Sequence, residues 1–296
     1  MPPVPSIVDA HHHVWDIAAR PQPWLDTDAA LEPLRRSFLL PELIPQAAAV
    51  GVTATVVVQT VVEPAETPEL LSLAASGSLV AAVVGWTDLE SPAVADALGQ
   101  LAAMAGGQHL AGIRHPLLTE PDPGWLDRAE TRRGLSALGA AGLAFDLVLR
   151  PGQLPGAVRA AATLPDLRFV LDHLGNVDAS RPQPDPAWAA AFVALARLPN
   201  TVCKLSGIFS GPPARDPGSG QHRADPTAHL RPYLDVALDS FGPDRLMFGS
   251  DWPVCTLGAS YADVVSAAVT LTGELSDPER AAILGGTARA VYGIRS

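Results

Sequence analysis

Eight short apolar runs, separated by stretches long enough for a helix, constrain the fold of this 296-residue chain more than any other feature. The runs are rich in β-branched residues, which favour strands, whereas the stretches between them are rich in Ala and Leu. This alternation is typical of parallel strands with crossover helices. The predicted strands are Ile7–His13, Thr53–Val61, Leu79–Trp86, Leu110–His115, Leu143–Leu149, Arg168–Leu174, Thr201–Ile208 and Arg245–Trp252.

Eight strands, each followed by room for a helix, predict a (β/α)8 TIM barrel, because an open doubly wound sheet has no fixed count of eight. No internal repeat or low-complexity linker divides the chain, so we expect a single barrel domain over residues 1–296. The predicted helices are Leu40–Val50, Pro68–Ala75, Ala93–Ala105, Thr131–Ala141, Pro186–Arg197, Ala228–Phe241, Tyr261–Leu271, Asp277–Leu284 and Thr287–Tyr292.

The charge composition limits the partners of the chain. The formal net charge is −11. Lys204 is the only lysine, the other basic residues are arginines, and no basic stripe exists to bind nucleic acid. The chain has no apolar run of membrane-spanning length and no signal-peptide pattern at its start. We therefore expect a cytoplasmic protein with a small-molecule substrate. A homo-oligomer is compatible with a barrel surface, although no interface stretch stands out.

Three consecutive histidines end the first predicted strand. If side chains alternate there, His11 and His13 share one face while His12 points to the other. Two imidazoles at one point can hold a divalent metal or surround a reacting carbonyl. A tag remnant or a solvated turn is the alternative explanation.

Polar residues fall repeatedly at the C-terminal ends of the predicted strands, where barrel enzymes build their sites. A buried charge is unfavourable by several kcal/mol unless it is paired or ligated, so this concentration predicts a shared polar cavity. The residues are Gln59, Trp86, Arg114, His115, Asp146, Asp172, His173, Lys204, Ser206, Ser250, Asp251 and Trp252.

Alternation sorts some of these residues. On the sixth strand, Phe169, Leu171 and His173 would share one face and Asp172 would occupy the other. His173 and Asp251 stand just before a Gly or Pro break, at the same height as the histidine pair of the first strand. The alternatives are a core histidine for His173 and a turn or cap role for Asp251.

Arg114 and His115 cannot both point inward from a regular strand. The planar guanidinium of Arg114 is a natural clamp for a carboxylate or lactone oxygen, and a surface salt bridge is its alternative. Lys204 is either an inward electrostatic group or an ion-pair partner for a barrel carboxylate. The loop Ser210–Pro226, which contains His222, is a candidate lid or a tolerated insertion.

The motifs resemble those of the amidohydrolase-related (amidohydrolase 2) family of the amidohydrolase superfamily. Within that family they look most like the motifs of sugar lactonases of the L-fucono-1,5-lactonase type, with the dicarboxylate-lactone hydrolases close by. Their order and spacing cover nearly the whole chain. The motifs are Asp9-Ala10-His11-His12-His13-Val14-Trp15, Pro23-Trp24-Leu25, Gly112-Ile113-Arg114-His115, Leu171-Asp172-His173-Leu174-Gly175, Lys204-Leu205-Ser206-Gly207 and Phe248-Gly249-Ser250-Asp251-Trp252-Pro253-Val254-Cys255.

The resemblance implies a site in which His11, His13, His173 and Asp251 are the candidate ligands of one Zn²⁺ or other divalent ion. The chain departs from the wider superfamily, because the fourth strand offers no carboxylated lysine and the fifth has Asp146 where many members have a metal-binding histidine. A binuclear site is therefore not expected, and hydrolysis without a metal stays open.

We therefore predict hydrolysis of a small sugar-acid lactone. Asp251 would take a proton from water, and the histidines would polarise the carbonyl directly or through Zn²⁺. The predicted catalytic residues are Asp251, His173, Arg114, His115 and Lys204, and the predicted substrate-binding residues are Trp24, Trp86, Arg114 and His222. A metal-dependent decarboxylase of the same superfamily and a catalytically silent ligand-binding barrel are the alternatives.

Overall fold

The computed structural model describes residues 6–77, 79–208 and 227–295. All eight predicted strands are present and pair in parallel in sequence order. They are β1 Ile7–His12, β2 Val52–Val58, β3 Val80–Gly85, β4 Leu110–Pro116, β5 Ala144–Val148, β6 Arg168–Leu171, β7 Thr201–Leu205 and β8 Leu246–Phe248. The predicted lid Ser210–Pro226 and the predicted substrate-binding residue His222 lie outside the described residues.

The last strand is joined to the first just beyond the end of β8. The amide of His13 donates to the carbonyl of Trp252 at 2.6 Å, and the amide of Asp251 donates to the carbonyl of His11 at 2.8 Å. These bonds bring β1 and β8 together, and the predicted (β/α)8 barrel is confirmed.

Helices cover the outside of the barrel, and none of those in the described ranges is long and apolar enough to cross a membrane. One of them, α5, was not among the predicted helices. The helices are α1 Leu40–Ala49, α2 Glu66–Ala75, α3 Val94–Ala103, α4 Ala129–Ala140, α5 Leu154–Thr163, α6 Pro186–Ala196, α7 Arg231–Phe241, α8 Tyr261–Leu271, α9 Asp277–Ala281 and α10 Thr287–Tyr292.

The sixth and eighth strands end earlier than predicted. β6 ends at Leu171 and β8 at Phe248, whereas the apolar pattern predicted strands as far as Leu174 and Trp252. A left-handed backbone at His173 (φ 56°) and Asp251 (φ 61°), which no strand accommodates, prevents both strands from reaching their predicted ends. Both turns lie at the C-terminal end of the barrel.

The apolar core has two layers. One lies between the strands and the surrounding helices, and the other fills the barrel with small and β-branched strand residues such as Val8 and Ala10. The C-terminal helix α10 closes the opposite end of the barrel, because Tyr292 and the following Ile294 belong to the inner layer.

Candidate active site

Three histidines and one aspartate meet at the C-terminal end of the barrel. The Nε2 atoms of His11 and His13 are 3.2 Å apart, as the alternation along β1 predicts. The Oδ1 atom of Asp251 lies 3.8 Å from His11 Nε2, 3.5 Å from His13 Nε2 and 3.9 Å from His173 Nε2. These distances place the nitrogen and oxygen atoms in one compact cluster, and all four side chains are buried.

Two of the imidazoles are oriented through their second nitrogen. His13 Nδ1 donates to the carbonyl of Val58 at 2.8 Å, which leaves a lone pair on Nε2 when the ring is neutral. His173 Nδ1 lies 2.8 Å from the hydroxyl of Ser206. Such contacts fix ring orientation and are typical of metal-ligating or catalytic histidines.

Backbone strain and two glycines make room for the cluster. His173 and Asp251 are non-glycine residues with positive φ, a conformation that concentrates at functional sites. A Cβ atom on Gly207 would lie 2.7 Å from the Cβ of His173, and one on Gly249 would lie 2.7 Å from the Cβ of His11. Any larger residue at these two positions would displace a cluster histidine.

A fully buried ion network centred on Lys204 of β7 lies beside the cluster. Its Nζ atom is 2.6 Å from Asp146 Oδ2, 3.0 Å from Asp172 Oδ1 and 3.1 Å from His11 Nδ1. Burial raises the pKa of Asp146 to about 6 even though Lys204 opposes this rise. Lys204 therefore faces inward and is also ion-paired, so the two alternatives predicted for it occur together.

The position of Asp172 corrects the alternation predicted for the sixth strand. Asp172 and His173 were expected on opposite faces, yet both reach the barrel centre, because β6 ends before them and His173 adopts a left-handed conformation. Burial acts to raise the pKa of Asp172, but Lys204, His11 and Arg114 outweigh it and hold that pKa well below its usual value. Asp172 is thus a permanent carboxylate inside the barrel.

Arg114 lies in the cavity wall with its donors already engaged. Its Nη1 atom donates to Asp172 Oδ2 at 3.1 Å and lies 3.3 Å from His11 Nε2. Its Nε and Nη2 atoms donate to Gln59 Oε1 at 3.3 and 3.0 Å, and Nη2 also bonds the carbonyl of Gln59. The guanidinium therefore supplies a fixed positive charge. No pair of its N–H groups remains free to bind a substrate carboxylate.

Protonation states follow from burial. Burial lowers the pKa of His11 well below 6.5 and also lowers that of His173, so both rings are neutral at pH 7. Burial acts to raise the pKa of Asp251, but His173 and His13 outweigh it and the net pKa lies below its usual value. Asp251 is therefore ionised and has no arginine or lysine of its own within ion-pair distance among the described residues.

Within the described part of the chain, two groups of side chains satisfy the distances of a metal site, and only the first suits an added cation. The donor separations of the first, between 3.2 and 3.8 Å, agree with the roughly 3.3 Å expected between tetrahedral zinc ligands at about 2.0–2.1 Å. In the second, the two oxygens of Asp172 already face Lys204 and Arg114. The groups are His11, His13 and Asp251, and His11, Asp172 and His173.

A cavity of about 780 Å³ opens above the cluster, a size suited to a small ligand. Its walls are largely apolar, and Trp24 forms part of them. His13, His173 and Asp251 reach the cavity from its floor. A bound ring would therefore face one carboxylate and two imidazoles.

His115 and Trp86 are not among the residues that line this cavity. The His115 ring stacks on Trp125 with 4.2 Å between centroids, and its Nε2 atom lies 3.2 Å from Glu120. Trp86 Nε1 donates to His115 Nδ1 at 3.4 Å. Both side chains thus support the loop after β4. On β4 the side chain of Arg114 faces the barrel centre, and that of the next residue, His115, faces outward.

Asp9 was not assigned a role from the sequence, although it stands inside the first motif. Its carboxylate accepts hydrogen bonds from the amide and hydroxyl of Ser250, at 2.8 and 2.6 Å, and from Tyr261 at 3.0 Å and the amide of His11 at 3.1 Å. These bonds tie β1 to the turn that presents Asp251. The signal available in the sequence was an acidic residue beside an apolar run, two residues before His11.

Fold and site together define a barrel enzyme of hydrolytic type, with a histidine and aspartate centre at the C-terminal strand ends. Residues 8–294 match the family model described as amidohydrolase, and the chain belongs to this family. The family resemblance noted in the motifs is confirmed.

Relatives of known name or structure match over most of their length. The chain is 38% identical to an L-fucono-1,5-lactonase of Burkholderia multivorans over 97% of this chain and 96% of that protein. It is 36% identical to an L-fucono-1,5-lactonase of Burkholderia ambifaria, over 86% of this chain and 83% of the relative. A crystal structure of a Burkholderia multivorans amidohydrolase with bound zinc superposes with a TM-score of 0.88 at 36% identity, covering 98% of this chain and all of the other.

Removing the charge of Lys204 tests the ion network. Lys204→Met leaves the Asp146 carboxylate buried without a cation, so we expect the free energy of unfolding to fall by about 3–5 kcal/mol. The double variant Lys204→Met/Asp146→Asn should recover part of this loss, because it also removes the unpaired charge. Urea denaturation of both variants makes the comparison, and a Lys204→Met protein as stable as wild type would contradict the network.

Proposed function

We propose that the protein hydrolyses a small sugar-acid lactone to the open-chain acid. The observation that carries this proposal is an ionised Asp251 whose Oδ1 lies 3.5–3.9 Å from three inward-facing imidazole nitrogens at the floor of a ring-sized cavity. The two relatives named L-fucono-1,5-lactonase support a lactone substrate over the decarboxylase and silent-barrel alternatives.

Asp251 acts as the general base in this proposal. Its carboxylate accepts a proton from a water molecule as the water oxygen adds to the lactone carbonyl. When the tetrahedral intermediate collapses, the bond between the acyl carbon and the ring oxygen breaks. The protonated Asp251 then returns the proton to the departing ring oxygen, which becomes a hydroxyl of the open-chain acid.

Arg114 and His173 stabilise the charge that develops on the carbonyl oxygen, His173 through the Nε2–H that it carries when its Nδ1 accepts from Ser206. His173 and Arg114 both line the cavity, and the Arg114 guanidinium sits 3.3 Å from His11 Nε2. Because Arg114 is held by Gln59 and Asp172, it contributes a preorganised charge at no cost of reorganisation. Trp24 offers the sugar ring an apolar face.

One divalent ion, best Zn²⁺, fits this site. His11, His13 and Asp251 would hold it, with His173 Nε2 within reach at 3.9 Å from the same Asp251 oxygen. When bound, zinc would polarise the lactone carbonyl and lower the pKa of the attacking water to about 7. The related amidohydrolase whose crystal structure contains zinc supports this choice of metal.

Replacing Asp251 by Asn tests the general base. We expect Asp251→Asn to lower kcat for the best lactone by about 10²–10⁴-fold, because an amide cannot accept the proton of water. The matched control is Asp235→Asn, an isosteric change at an exposed position of α7. Assays across aldonolactones of both ring sizes, followed with a pH indicator, provide the measurement, and undiminished turnover by Asp251→Asn would refute the mechanism.

The acid side of the pH profile reports the buried histidines. Each must be neutral to act, and burial places the pKa of His11 and of His173 below 6.5. The acid limb of kcat/KM should therefore be centred below pH 6.5, the ordinary histidine pKa. An acid limb centred at or above 6.5, measured at constant ionic strength, would show that burial does not govern these rings.

Metal removal tests the zinc assignment separately from the lactonase activity. Protein freed of metal by a chelator should lose most of its kcat and regain it with one equivalent of Zn²⁺, because the three first-group donors converge on one point. Metal content is verified by mass spectrometry before each assay. Full activity of metal-free protein would overturn the zinc assignment and leave the imidazoles and Arg114 as the polarising groups.

A further inference from the structure

The C-terminal helix contributes one side chain to the polar interior of the barrel. Tyr292, the last residue of α10, is buried, and its hydroxyl donates to Asp146 Oδ2 at 2.8 Å. The face of its ring lies 5.4 Å from Lys204 Nζ, within the range of a cation–π contact. Tyr292 is not among the residues that line the cavity, so it reaches the ion network from below.

Asp146 depends on few partners. Its Oδ2 atom receives hydrogen bonds from Tyr292 and Lys204, while its Oδ1 atom has no hydrogen-bond partner among the described residues. The hydroxyl of Tyr292 is thus one of two groups that orient this carboxylate. If it were removed, Asp146 could rotate about its side-chain bonds with only Lys204 to restrain it.

Lys204 passes this constraint on to the active site. Its ammonium Nζ lies 2.6–3.1 Å from three side-chain atoms, Asp146 Oδ2, Asp172 Oδ1 and His11 Nδ1. A lysine head on a four-carbon stem has little rigidity of its own and is fixed only where its acceptors are fixed. The orientation of the Asp146 carboxylate therefore affects where the ammonium meets the His11 ring.

We propose that Tyr292 is a positioning residue of the active site, which acts through Asp146 and Lys204 to hold the His11 imidazole in place. Burial and the neighbouring Asp146 carboxylate raise the pKa of Tyr292 well above its usual value, so the side chain remains a neutral donor. The kinetic consequence rests on the lactonase activity proposed above. The geometric consequence, a displaced His11, does not.

The test compares two tyrosines that each lose a buried hydroxyl. Tyr292→Phe should lower kcat for the lactone by about tenfold, with KM changed less than about twofold. Mutation of residues that orient site histidines typically lowers activity or metal affinity by about 10–100-fold. Tyr233→Phe is the control, because the acceptors near the Tyr233 hydroxyl among the described residues are the carbonyls of Asp178 and Arg181, which do not belong to the network. We expect its kcat to stay at the wild-type value.

A double variant identifies the route. If Tyr292 acts through Asp146, then Tyr292→Phe should add little further loss of kcat to Asp146→Asn, whereas independent effects would multiply. Thermal unfolding measures the loss of stability in each tyrosine variant, which we expect to be similar. A loss of kcat confined to Tyr292→Phe is then not explained by stability. Two results would contradict the proposal: a wild-type kcat in Tyr292→Phe, or a loss of kcat that multiplies fully with that of Asp146→Asn. Tyr292 would then only pack at the end of the barrel.

A measurement without substrate distinguishes failure of this inference from failure of the proposed function. If the wild-type protein hydrolyses no lactone, the proposed function falls, and zinc affinity then decides the role of Tyr292. Competition with a chromogenic chelator should show about tenfold weaker zinc binding by Tyr292→Phe than by Tyr233→Phe, because His11 is a candidate ligand. Equal affinity, or no binding by either variant, would overturn the inference.

Discussion

The interior of this barrel depends on the compensation of buried charge. An ammonium as deeply buried as that of Lys204 is tolerated only beside carboxylates, and it has two, from β5 and from the end of β6. The third contact of Lys204, the imidazole of His11, comes from β1, which β8 separates from β7. These groups meet only when the eight strands close, so the ion network links the fold directly to the site.

Features set by local pattern could be predicted from the sequence. The eight β-branched runs are local, and so is the alternation that places His11 beside His13. The single lysine of the chain also stands out on an apolar strand, although its partners do not. Helix α5 had local signals too, a proline at its start and an alanine-rich sequence with Leu154, Ala157 and Ala161 at helical spacing, and it was nevertheless missed.

Features set by distant contacts could not be predicted. Strand periodicity places Asp172 and His173 on opposite faces, but a left-handed turn brings both inward, and room for that turn comes from Gly207, just after the end of β7. From the sequence, the guanidinium of Arg114 was expected to bind substrate oxygens. In the structure, most of its N–H groups donate to the side chain and carbonyl of Gln59, 55 residues away. A residue type indicates which bonds are available, and only the folded chain determines which are used.

The same charges bear on how many metal ions the centre can accept. Lys204 and Arg114 balance Asp146 and Asp172, so Asp251 is the one carboxylate of the cluster without its own cationic side chain among the described residues. A divalent ion beside Asp251 would offset that charge. A second ion at Asp172 would instead lie near two fixed cations, at 3.0 and 3.1 Å from the oxygens it needs. The network that holds His11 in place therefore favours one metal ion over two.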